Sequence, residues 1–434
     1  MKLKSKWLLI SLFIILAIAV PVISICCYHF YMNFLLSKKI QELSRKGYPT
    51  TFEELDISYK QLSSEENAAI IYQKAADKFD EINGKYFMFS SSKLTDMKKF
   101  IEDNISVIEL INEGCKKMKC RYQDDFSKGW AATDNYYNII HRCIGILLVK
   151  YDLDMGNKNF QNAAEAISNC LQLANTLKDV PGFYTMGTRF YKGSEVIEKI
   201  ERLLNASMLQ DAEIERLMEH LNDKNELMFL KSSLVVKMIY IRELSFEEYV
   251  DSSHARPFYK GSQAEARLEN MITYIYCAIG LDLRDKLNII NMISNLAEAC
   301  GKSIHTVQEE LKKSNTKNSY AIANHFLEDV NNDCRKEIEF ISLLRIARCS
   351  LAIEKYRNAK NKKPNSLQEL VPEYIDSVPK DPYNGRNINY KNDDKGYIVY
   401  SVGKDLIDNG GVKRTYLPGT GGKEIEDITF KIER

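Results

Sequence analysis

The residues best placed for chemistry lie near the C-terminus. A loop from Gly403 to Asp427 collects Asp405, Asp408, Asn409 and Asp427 with Gly403, Gly410, Gly411, Gly419, Gly421 and Gly422. Calcium takes about six to eight hard oxygens, from carboxylates and backbone carbonyls, so the chain must bend tightly around it. Glycine permits such bending because it has no Cβ to clash. The loop therefore predicts a calcium site with Asp405, Asp408 and Asp427 as carboxylate ligands. Asp405-Leu-Ile-Asp408 lacks the alternating spacing of an EF-hand. The competing reading is an ordinary turn with solvated acids, since Asp, Asn and Gly dominate turns for local reasons.

Other reactive side chains form no recognised constellation. The His residues are His29, His141, His220, His254, His305 and His325; none makes H-E-x-x-H. His141 and His325 sit in helical stretches and read as packing or surface residues. No G-x-S-x-G occurs, so a nucleophile elbow is not encoded. Gly419-Thr-Gly-Gly-Lys423-Glu424 departs from a phosphate loop in spacing and places Glu where a magnesium-binding hydroxyl belongs. Cys143, Cys170, Cys277 and Cys349 fall at helical core positions, where a free thiol acts as a small hydrophobe. Cys115 and Cys120 have the wrong spacing for a zinc knuckle, but an oxidising compartment would favour a disulfide. The acid pairs Glu247–Glu248, Asp124–Asp125 and Asp393–Asp394 read as solvated.

The elements that must position these residues begin with the first forty. Trp7 to Leu36 is almost unbroken apolar sequence, and the charges around it are Lys2, Lys4, Lys6, Lys38 and Lys39 with no acid. About 20 apolar residues suffice to span a bilayer. A cleaved signal peptide has a shorter apolar core, about 7–15 residues, ending in small residues; Val22-Ile-Ser-Ile-Cys-Cys27 offers no such site. The segment predicts an uncleaved membrane anchor. A short basic N-terminus before a first span stays inside, and long domains cross regardless of charge. The expected topology is N-in, with the bulk of the chain extracytoplasmic.

From Gln41 to about Lys360 the chain reads as successive amphipathic helices with few Gly or Pro breaks. Thr51-Phe-Glu-Glu54 and Ser63-Ser-Glu-Glu66 have the form of capping boxes. Helical runs follow at 94–119, 136–153, 160–177, 183–204, 211–221, 226–246, 264–299 and 304–312. The stretch Gly156 to Leu171, with Ala163–Ala164 and Ile167, resembles the middle of a tetratricopeptide-type hairpin, where small residues let helices approach closely. A helical array with a concave binding face and a plain α-helical bundle both fit. With 60 Lys+Arg against 59 Asp+Glu, the balance argues against a nucleic-acid partner held by a basic surface.

The last hundred residues change character. Phe340, Leu344, Ala347 and Leu351 stripe a long helix to about Lys360, and Ser366 with Glu369 suggests a second. Val378-Pro379-Lys-Asp381-Pro382 is a turn cluster, and Asn387–Tyr390, Gly396–Val402 and Asp427–Ile432 read as short strands. The fold class is mainly α: an anchor at 1–36, a helical stalk at 37–129, a helical-hairpin body at 130–335 and a small α+β unit at 336–434.

Several residues of that unit match a known pattern. Tyr356 with Pro364, Leu367 and Leu370, Val378-Pro379, Asp381-Pro382, Gly385, Tyr390, Tyr400-Ser-Val-Gly403-Lys-Asp405 and Asp427-Ile428 resemble the globular part of type II secretion major pseudopilins. Asp405 and Asp427 fall where that family's loop supplies carboxylates, so the resemblance also implies calcium. With Pro49-Thr-Thr-Phe-Glu-Glu-Leu55 and Glu66-Asn-Ala-Ala69, the chain is also similar to uncharacterised bacterial membrane proteins that combine one span, a helical body and this terminal unit. The pseudopilin processing motif Gly-Phe-x-x-x-Glu is missing, so the resemblance implies a fold rather than assembly into a pseudopilus. The expected function is a binding or scaffold protein of the bacterial inner membrane, with a protein partner on the helical body and no catalytic site. The alternatives are an envelope or secretion-assembly component with a pseudopilin-like contact, and a hydrolase whose groups converge only in three dimensions.

Overall fold

In the computed structural model, residues 2–434 are described except 60–61, 85–86, 123–124, 127, 129–134, 183–184, 224, 245–274, 315–320, 393–394 and 413–426. Helix α1 (Lys2–Arg45) opens the chain and, at 1.5 Å rise per residue, is about 66 Å long. Among the described residues it is the one helix long and apolar enough to cross a membrane. Trp7, Phe13, Ile15 and Ile18 are all exposed along it. Further on, Met32 and Leu43 are buried, with Leu36 and Ile40 packed beside Leu43. That spacing of about four residues puts all of them on one helix face. The sequence expectation of a mainly α chain with an apolar N-terminal helix and a short antiparallel sheet holds.

The body follows as α2 (Phe52–Ser58), α3 (Ala68–Asn83), α4 (Leu94–Asp103), α5 (Ile105–Cys115), α6 (Asn135–Gly156), α7 (Phe160–Asn175) and α8 (Thr185–Ala206). Then come α9 (Asp211–His220), α10 (Glu226–Glu243), α11 (Leu281–Cys300), α12 (Ile304–Ser314) and α13 (Ala321–Lys360). Thr51 caps α2 as expected, its hydroxyl accepting the Glu54 N–H at 3.0 Å. Ser63 does not cap α3. Asn67 does, through the Ala69 N–H at 3.1 Å, because it is also fixed at long range by the Arg121 N–H and C=O. The run expected at 94–119 is broken at Asn104, whose buried amide bonds the Phe100 carbonyl and Asn83 instead of leaving the helix regular. The expected 264–299 helix is described from Ile275 and is broken at Gly280, whose φ of 78° separates a single helical turn from α11.

Two hydrophobic cores run side by side. One joins α3–α9 to the C-terminal half of α13 and to the sheet. The other joins the end of α1 to α2, α10, α11, α12 and the N-terminal half of α13. The 40-residue α13 therefore ties both together. Hairpin α6–α7 packs closely because Ala163, Ala164 and Ala166 are buried at its interface, and Lys158 takes φ 59° in the turn.

Strands β1 (Asn389–Asn392), β2 (Tyr397–Ser401) and β3 (Ile428–Ile432) form an antiparallel sheet in the order β1-β2-β3, with Val399 opposite Phe430 and Tyr397 opposite Ile432. Those four side chains are buried in the same core as the C-terminal half of α13. The free edge of β3 is closed by α8: Asn205 donates to the Lys431 carbonyl, and the Lys431 N–H donates to Glu201. A capped edge does not invite another strand. The second helix expected after Pro364 is only a 3-10 turn, Leu367–Leu370. Pro372 lacks the N–H needed to continue it and disfavours helical geometry before it. Ser366 makes no cap bond, and Glu369 instead accepts the Asn365 N–H and the Tyr356 hydroxyl.

Candidate functional site

Where the C-terminal unit meets the body, an open cleft of about 610 Å³ lies between α13 and the segment 368–387. Its basic groups are Arg345, Arg348 and Lys380; Asp223 and Asp376 are its acids. Arg345 is committed, donating from Nε to Asp223 at 2.7 Å and from Nη1 to the Lys380 carbonyl at 2.6 Å. Arg348, one turn on, differs. Its Nε is buried and has no hydrogen-bond partner. A second groove of about 680 Å³ shares Gln368, Val378, Lys380 and Asn387 with the first and continues to Tyr390 on β1. Arg348 also borders a smaller hollow with Glu215, Lys355 and Tyr374.

Asp381 fixes the cleft wall. It is fully buried, accepting the Ser401 hydroxyl at 2.8 Å, the Tyr383 N–H at 2.9 Å and the Val402 N–H at 2.9 Å. These bonds hold the turn beyond Lys380 to the end of β2. An arginine fork can grip a carboxylate with two parallel N–H bonds, and it stays charged even when partly desolvated. A cleft lined by such a fork suits an extended segment carrying an acidic side chain.

The second notable group is interior. Arg189 on α8 is fully buried, with Nη1 2.5 Å from Glu226 and 3.2 Å from Glu337, both also buried. Lys178 reaches Glu226 at 2.8 Å. The Arg189 guanidinium lies over Phe229 at 5.0 Å and over Phe340 at 4.6 Å, and those rings belong to different cores. The charges thus occupy the seam between the two halves. Burial pushes the Glu337 carboxyl up to about 8, against the pull of Arg189, and the neighbouring Glu226 charge adds to the rise. Glu226 is also penalised by burial, but Arg189 and Lys178 more than offset that and hold its carboxyl below the usual value.

The three carboxylates expected to bind calcium lie close enough in the structure to act on one another electrostatically. They are occupied differently. Asp405 accepts the Ile407 N–H at 3.0 Å, and Asp408 accepts the Gly410 N–H at 2.9 Å and the Tyr400 hydroxyl at 3.0 Å. Asp427 is fully buried, with Oδ2 accepting the Gly411 N–H at 2.8 Å and Oδ1 unmatched. Burial raises its carboxyl, with Asp408 and Asp405 adding to the shift. Gly403, Gly410 and Gly411 have φ of 67°, 74° and 77°, and a Cβ on Gly411 would press on Ile398 and Tyr400. Among the described residues no three His, Cys, Asp or Glu side chains gather to hold a metal ion.

His141 stacks on Tyr137 at 6.0 Å in a groove of about 760 Å³ with Tyr191 and Lys192. All ten cysteines are free thiols; Cys115 and Cys120 are half-buried, and burial raises Cys115 to about 11. His254, the pairs Glu247–Glu248 and Asp393–Asp394, residue Asp124 and the Gly419–Glu424 string lie outside the described residues. Sequence reasoning missed Arg348, Arg189 and Glu337. Glu337, Ile341, Leu344 and Arg348 fall at helical spacing on α13, so a charge on an apolar stripe was the available signal. No known family, characterised protein or solved structure matches the chain.

Proposed function

We propose that this is a membrane-anchored binding or scaffold protein that holds an extended, acidic segment of a protein partner in the cleft between α13 and the C-terminal unit. The observation that carries the reading is Arg348, which lines an open cleft and whose buried Nε has no hydrogen-bond partner. An unmatched buried donor costs about 1–3 kcal/mol, which a bound carboxylate would recover. The apolar α1 holds the chain at the bacterial inner membrane, N-in, with the body extracytoplasmic. Its continuation onto α11 gives the cleft a fixed stand-off from the bilayer. Calcium remains the proposed ligand of the Gly403–Asp427 loop on the strength of the unmatched Asp427 Oδ1.

A photo-crosslinking side chain placed at Gln368, in membranes from the native host, tests the binding reading. The expected result is a discrete adduct that fades in Arg348→Gln, where the donor fork is lost. An adduct of equal strength in both chains would reject Arg348 as the recognition group, and no adduct at Gln368 or Asn387 would reject the cleft. A pseudopilin-like assembly contact would instead crosslink from exposed positions on the sheet.

A further inference from the structure

Beyond the span itself, the body carries a second apolar feature at the level where α1 leaves the bilayer. A helical turn from Ile275 to Gly280 precedes α11, closed by the Ile279 N–H on the Ile275 carbonyl and the Gly280 N–H on the Cys277 carbonyl. Ile275 and Ala278 are exposed and Ile279 is half-exposed. Their spacing puts them on one face of the turn. The opposite face is tied down, since the Tyr276 hydroxyl donates to Asp285 at 2.5 Å.

Gly280 seats this turn on α1. It has φ 78°, and a Cβ there would stand 3.2 Å from the His29 Cα, so the turn rests on the α1 backbone. A span of about 20 residues beginning at Trp7 ends near Cys26, within about one helical turn of His29. His29 itself pairs along α1, with Asn33 Nδ2 3.1 Å from its Nδ1. Around that level Phe30, Tyr31 and Phe34 are exposed, although their neighbour Met32 is buried against the body. Aromatic side chains concentrate at the membrane–water boundary, where one end is apolar and the other wet.

We infer that the exposed Ile275–Ile279 face inserts into the boundary between lipid headgroups and acyl chains, seating the body on the bilayer beside its own span. The occupant is lipid because Gly280 on His29 sets the face beside α1 at the level where Phe30, Tyr31 and Phe34 are exposed. A short helix with one apolar face lies in this zone at shallow depth. Two contacts instead of one would fix the tilt of the body and so the direction in which the cleft faces. The inference rests on reading α1 as the span.

The test uses the full chain in vesicles of phosphatidylcholine and phosphatidylglycerol, with or without bromine on the acyl chains, which quenches tryptophan on contact. With Trp7 and Trp130 changed to Phe, Ile275→Trp should lose about half of its emission in brominated vesicles, as a shallowly inserted side chain would. Met208→Trp in the same background, on the α8–α9 connection, should be unaffected. Trp7 is read separately in the Trp130→Phe chain. Unquenched emission from Ile275→Trp, beside quenched Trp7, would overturn the second contact and leave the span intact. Unquenched Trp7 would overturn both.

Discussion

Replacing Glu337 by Gln probes the seam between the two cores through its pH dependence. Burial raises the Glu337 carboxyl to about 8, against an ordinary value of 4.5, so the folded chain holds a proton that the unfolded chain releases. The stability that this proton supplies is present in full below about pH 4.5 and is lost as pH climbs toward 8. At about 1.4 kcal/mol per pH unit the loss across that window reaches about 5 kcal/mol, an upper limit because the site relaxes on ionising. The facing groups are Arg189, Glu226 and Lys178. Glu226 has the opposite sign and loses its contribution only as pH falls through its lowered value. The amide introduced by Glu337→Gln has no proton to lose and can still donate an N–H to Glu226. Urea unfolding midpoints of both chains in detergent, from pH 4.5 to 8.5, give the comparison. The chains should be nearly equal at the acid end, and Glu337→Gln should be the more stable by several kcal/mol at the alkaline end. Other titrating groups are common to both chains and drop out of the difference. A difference that does not change with pH would refute the assignment of a retained proton to Glu337.

Arg189→Met should destabilise by about 3–5 kcal/mol, because it leaves the buried Glu226 carboxylate to Lys178 alone and Glu337 without its paired cation; thermal melts check this, and adding Glu226→Gln should restore part of the loss. Asp381→Ala leaves the Ser401, Tyr383 and Val402 donors without their acceptor and should lower stability by about 2–5 kcal/mol, read by the same melts. Calcium at millimolar concentration should raise the melting temperature of the full chain, and Asp427→Asn should abolish the gain. An unchanged melting temperature in the unsubstituted chain would remove calcium from the loop.

Much of this architecture is legible in the sequence because its signals are local. The apolar run from Trp7 makes α1, Thr51 caps α2, and the alternation in Tyr397-Ile-Val-Tyr-Ser401 marks β2. The misreadings come where a long-range partner decides. Asn67 outcompetes Ser63 as a cap because Arg121 pins it, and Asn104 breaks a helix because Asn83 accepts its company. Asp405, Asp408 and Asp427 stand out by type, but their hydrogen bonds to loop amides follow from backbone φ angles that composition does not specify. Arg348 is misread for a different reason. Its place on the α13 stripe is visible, but an arginine there reads as a solvated surface residue, and the burial of its Nε shows only in the fold.

The most direct measurement is the position of the body relative to the membrane that α1 is proposed to cross. Cells whose outer membrane has been permeabilised are treated with a protease, and the fate of residues 41–434 is followed with antibodies to the C-terminal unit, alongside alkaline extraction of the membranes. The proposed topology predicts a chain that resists alkaline extraction and loses its C-terminal unit to the protease. A body fully protected until the inner membrane is lysed would reverse the orientation, and release of the intact chain by alkali would contradict the membrane anchor itself.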